Sequence, residues 1–166
     1  MATTRQKKEP MLKIDYRLKG SGWAECTIHA DGRKCEVSAS YLSDALGKLV
    51  LAGVAVLAGA QSVSVGFDEE PGEYRWAIVM TDDGVVRVDM LEFRELWGNR
   101  PDVEGTLLMT FSCPPLEFGE AVYAAAEEVH KLHGLAGYKK RWATHDFPVA
   151  ELDLLKSYIL RWERNG

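Results

Sequence analysis

The sequence predicts an α+β fold: a largely antiparallel, meandering sheet in the order βββ-α-ββββ-αα, with one central buried helix and two C-terminal helices packed on one face. Three observations carry this reading. Apolar and polar residues alternate in short runs separated by glycine-containing turns. One run, Leu49 to Ala60, has no polar side chain at all. The last third of the chain shows helical spacing of apolar residues behind two proline starts, at Pro114-Pro115 and at Pro148.

The first strand is expected at Leu12 to Leu18, where Leu12, Ile14, Tyr16 and Leu18 alternate with Lys13, Asp15 and Arg17. Trp23 to Ala30 and Arg33 to Ser38 flank Asp31-Gly32, the pair suited to a type I′ turn because both central residues need positive φ. Pairing Ala30 with Arg33 puts Ala24, Cys26, Ile28, Cys35, Val37 and Ala39 on one face and the charged residues on the other. A helix is expected from Ser43, as N-cap, to about Ala60. It is apolar nearly all round and so should be covered on both sides, with Gly47, Gly53 and Gly59 allowing close neighbours. Its twelve wholly apolar residues would span about 18 Å, too little for a membrane.

The stretch "FDEEPGEYRW", Phe67 to Trp76, reads as a hairpin. A symmetric loop at Pro71-Gly72 sets Glu70 against Glu73, Asp68 against Arg75 and Phe67 against Trp76. The inner face is then Val63, Val65, Phe67, Tyr74, Trp76, Ile78 and Met80. At Asp82-Asp83-Gly84 a three-residue loop is required, since a two-residue loop would bring Arg87 to the core face beside Met80. Beyond the linker "WGNRPDVEG", Thr106 to Cys113 is a strand. Phe118, Val122, Ala125, Val129 and Leu132 then mark a helix ending at Gly134, and Leu152, Leu155, Ile159 and Trp162 mark the last helix. With 166 residues and 46% hydrophobic content, residues 11–166 suit a single domain behind a tail, residues 1–10, expected to be disordered.

The net charge of -5 and pI near 5.4 argue against general nucleic-acid binding, because the only basic runs are Arg5 to Lys8 and "YKKRW" at Tyr138 to Trp142. Cys26, Cys35 and Cys113 lie in apolar runs without CxxC spacing, which points to reduced core thiols and a cytoplasmic setting. No cofactor motif is present: no glycine-rich phosphate loop, no GxSxG and no HExxH. The acidic cluster of the hairpin splits between faces, so it does not form a cation site. An alternative chemistry is a zinc or small-molecule site using His130 and His133, three apart on a helix, with His145 and Asp146 a short loop away.

The phrases "GSGWAE", "SYLSDAL", "FDEEPGEYRW" and "YKKRW" followed by "HDFP", in this order between Tyr16 and about Leu160, resemble a scattered group of uncharacterised small bacterial proteins. Such proteins are similar in type to the immunity proteins of bacterial toxin systems. That resemblance implies a non-enzymatic protein that neutralises a partner by binding it. An acidic body favours a basic protein partner. The expected contact surface is the outer hairpin face, Asp68, Glu70, Glu73, Arg75 and Asp89, edged by Trp97.

Overall fold

Alternating side chains build the first sheet from β1 (Leu12–Lys19), β2 (Trp23–Ala30) and β3 (Arg33–Ser40), paired antiparallel in the order β1-β2-β3. The structure, a computed structural model, describes residues 11–95 and 99–165; the expected tail lies outside them. Ala30 faces Arg33 and Cys26 faces Val37, as the alternation requires, and Asp31 and Gly32 both have positive φ (52° and 73°). The second sheet holds β4 (Ser62–Asp68), β5 (Glu73–Met80), β6 (Val86–Phe93) and β7 (Thr106–Cys113) in chain order. Met80 pairs with Val86 and Trp76 with Met90, and Gly84 takes the left-handed position (φ 79°). A register irregularity between Met90 and Leu91 lets β6 continue beside β7.

The β4–β5 pairing differs from the sequence expectation. Phe67 faces Tyr74 and Asp68 faces Glu73, so the loop has four residues, Glu69 to Gly72, and the register is shifted by two. A shift of two preserves the faces, which is why Val65, Phe67, Trp76 and Ile78 are still buried. Asp68 consequently does not oppose Arg75, whose partner on β4 is Gly66.

Three helices cover the sheets: α1 (Ala45–Leu57), α2 (Pro115–Trp142) and α3 (Val149–Asn165). The N-cap of α1 is Asp44 rather than Ser43. The Asp44 carboxylate accepts from the Gly47 N–H at 3.2 Å, while Ser43 Oγ accepts from the Asp68 N–H at 3.4 Å and ties the helix start to β4. The helix stops at Leu57, not Ala60, because Gly59 turns into the left-handed region (φ 93°). α1 packs against β4, α2 and α3, and Leu155 of α3 sits where a side chain at Gly53 would be. One stripe stays open, contrary to the expected cover on both sides: Leu51 is 47% exposed. Gly134 breaks α2 as anticipated (φ 65°). The chain then resumes helix through "YKKRW", with Tyr138 and Trp142 buried and the three cations between them on the surface. Leu132, expected in the buried stripe, is 64% exposed. No described helix is long and apolar enough to cross a membrane.

One core joins both sheets and all three helices. Cys26, Cys35 and Cys113 are free and buried, and burial pushes all three thiols above their usual range, Cys113 to about 12. Cys26 and Cys35 stand on diagonal positions of β2 and β3. Native protein is therefore expected to leave all three unlabelled by maleimide and to take up three labels after denaturation. Intact mass spectrometry that finds a 2 Da deficit or native labelling of Cys26 would contradict this assignment.

Candidate functional site

Three of the four edge strands, β3, β4 and β7, make contacts beyond their own sheet. Arg33, at the β2–β3 turn, donates through Nη2 to the Thr110 carbonyl on β7 at 2.6 Å, and β3 lies against β4. The fourth, β1, has no strand on its outer side among the described residues. Helix α2 runs alongside it in the same direction, held at both ends. The Leu12 N–H donates to Glu117 Oε1 at 3.0 Å, and past the far end the Gly22 N–H donates to the Arg141 carbonyl at 2.7 Å. Glu117 lies in the first turn of α2, where a carboxylate also suits the helix dipole.

Between β1 and α2 lies a groove of about 730 Å³, a volume typical of ligand sites. Its helix wall carries Glu117, Glu120 and Glu128 around the small residues Ala121, Ala124 and Ala125. Its strand wall is Leu12 to Arg17. Asp15 is already engaged, with Lys13 Nζ at 3.8 Å and His29 Nε2 at 3.5 Å. Glu117, Glu120 and Glu128 make no ion pair among the described residues, and neither does the neighbouring Glu163. Partial burial holds Glu120 above the ordinary carboxylate range, with Glu163 and Glu117 adding to the effect. The groove lining thus carries four carboxylates, Asp15, Glu117, Glu120 and Glu128, against two cations, Lys13 and Arg17 on the strand wall, over a floor too small-sided to fill it.

The sequence-predicted surface is rearranged. Glu73 and Arg75 do not form an exposed tip: their side chains are only 13% and 11% exposed and bond at 2.8 Å. Arg75 also donates to Asp102 at 2.9 Å and to the Arg100 carbonyl at 2.7 Å, with its guanidinium 4.1 Å from the Phe93 ring centroid. The segment Arg100 to Gly105 crosses this face of the second sheet, and Ala77, Leu91 and Phe93 form a small buried cluster beneath it. Arg75 is therefore a buried clamp rather than part of the exposed contact surface expected with Asp68 and Asp89. Asp68 is half-buried, and burial raises its carboxyl against the opposing pull of Lys48. Asp89 stands 3.9 Å from Arg87 and accepts from Thr110 Oγ1 at 2.5 Å. Glu70 is exposed at the loop apex, and Trp97 lies outside the described residues.

The histidines do not converge. The His130 ring stacks on Phe147 at 4.9 Å, His145 Nδ1 lies 3.0 Å from Thr144 Oγ1, and Asp146 pairs with Lys139 at 3.2 Å. Burial and then Arg141 lower the pKa of His133. No group of three or more His, Cys, Asp or Glu side chains among the described residues is placed to hold a metal ion. The chain matches no protein-family model, no curated protein and no solved structure.

The groove was not anticipated from the sequence. Its signal is the acidic and alanine stripe Glu117, Glu120, Ala121, Ala124, Ala125 and Glu128 at helical spacing. Only the placement of that stripe beside β1 gives it meaning.

Proposed function

We propose that this protein acts by binding a basic protein partner in the groove between β1 and α2, as an immunity protein masks a toxin, and that it performs no catalysis. The observation that carries this reading is the groove itself, with three glutamates along its helix wall that form no ion pair among the described residues. The net charge of -5 adds a general attraction for basic partners. Exposed carboxylates of this kind can pair with cations that arrive with a ligand, an attraction that added salt screens. The expected hairpin surface is reduced to Glu70 at the loop apex, while Asp89 stands half-buried in the middle of β6, so the two do not converge.

The test uses two fluorescein-labelled heptapeptides of identical backbone, one bearing lysines and the other glutamates, titrated by anisotropy. The lysine peptide is expected to bind, to weaken as sodium chloride is raised, and to lose about tenfold or more in affinity in the Glu120→Lys, Glu128→Lys double variant. Both positions are exposed, so the variant is expected to keep its melting behaviour, with a stability change of about 0.5 kcal/mol or less. Equal binding of the lysine peptide by the variant, or no binding by the unaltered protein, overturns the proposal.

A further inference from the structure

The open edge of β1 defines how a ligand in this groove is held. In an antiparallel pair, alternate residues direct both backbone groups toward the partner strand and the others direct both away. Two contacts set the phase in β1. The Leu12 N–H points outward to Glu117, and the Met11 carbonyl points inward, accepting from the Asp31 N–H at 3.4 Å. Ile14, Tyr16 and Leu18 share the phase of Leu12, so their N–H and C=O groups face away from β2, those of Ile14 and Tyr16 along the groove and those of Leu18 just past its end, while their side chains enter the core. Glu117 caps the first outward donor, and no strand among the described residues takes the next three.

We propose that the groove binds its partner as an added β-strand on β1, and that the segment it selects carries two basic residues four apart with a small or apolar residue midway. This rests on the partner-binding reading above. The spacing follows from the two walls. α2 runs along β1, so Glu120 and Glu128, eight residues apart, are separated by about 12 Å along the helix axis. Residues four apart on a strand lie about 13 Å apart and on the same face. Two lysines or arginines at that spacing meet both glutamates, and the residue between them meets Ala124, where the wall is lowest. Side chains at the intervening positions turn to the outer face, beside Lys13, Asp15 and Arg17. The mode is edge-strand addition, in which main-chain bonds supply affinity and alternate side chains supply selection.

Two readouts test it with peptides of defined spacing. A heptapeptide with lysines four apart and valine midway, threonine elsewhere, is expected to bind about tenfold more tightly than its isomer with lysines three apart, which splits the charges between strand faces. In the free protein the Ile14, Tyr16 and Leu18 amides are expected to exchange faster than those of Lys13, Asp15 and Arg17, and only the first set is expected to slow on binding. If both isomers bind equally, depend on Glu120 and Glu128, and leave those three amides unprotected, strand addition is wrong while partner binding stands. If neither isomer binds, both readings fall.

Discussion

Replacing Trp76 with alanine is expected to lower stability by about 3–5 kcal/mol, a large share of the total for a domain of this size. Trp76 is fully buried on β5, between Val65 of β4 and Met90 of β6, with its ring 5.7 Å from that of Phe67. Truncation removes the indole contacts and leaves a cavity where both faces of the ring were packed, in a sheet whose hydrogen-bonded frame limits collapse. Its Nε1 is buried without an acceptor, so Trp76→Phe sacrifices no hydrogen bond and is expected to cost clearly less than Trp76→Ala. Urea unfolding of the three proteins measures this directly. A loss below about 1 kcal/mol for Trp76→Ala would show that the second sheet is not packed as described.

Val56→Asp is expected to abolish folding. Val56 is 2% exposed, in the last turn of α1 on the face turned to the core, and belongs to the apolar core cluster. Aspartate must either be buried charged or take up a proton at a cost, and it also forfeits the packing of the valine. Val56→Ala removes two methyl groups, is expected to cost about 2 kcal/mol, and keeps the fold. Leu51→Asp, on the open stripe of the same helix, is expected to fold with little change because Leu51 is 47% exposed. Circular dichroism and size-exclusion chromatography distinguish these outcomes. A folded Val56→Asp protein, or an unfolded Leu51→Asp protein, would mean that α1 is rotated from the orientation described.

The contrast between Val56 and Leu51 shows where sequence reasoning stopped. The run from Leu49 to Ala60 marks a core helix but has no polar face to orient it, so the open side is set by where α2 and α3 arrive. The hairpins show the same division. Asp31-Gly32 and Asp82-Asp83-Gly84 have backbone requirements strong enough to set loop length, and both registers followed from them. Around Pro71-Gly72, side-chain parity constrained the faces of β4 and β5, but a shift of two leaves parity unchanged and the register escaped. Ser43 and Asp44 are both good cap residues, and the choice went to Asp44 because the Ser43 hydroxyl is taken by the Asp68 N–H, 25 positions away.

The local pattern of this chain, by itself, determined the element order, the inward face of each strand except at Leu107, expected inward on β7 and 57% exposed, the burial of its three cysteines and the break of α2 at Gly134. Each follows from contacts or backbone preferences within a few residues. The candidate site did not follow, because its components are distant in sequence and individually ordinary. Arg75 reads as an exposed cation until the Arg100 to Gly105 segment closes over it. Glu117, Glu120 and Glu128 read as a solvated helix face until α2 is laid along the β1 edge, an arrangement held by the bond between Leu12 and Glu117, 105 positions apart. Alternation and spacing report which side of an element avoids water. Which polar side meets another, and which edge stays open to a partner, depends on how the elements dock, and that was decided only by the tertiary structure.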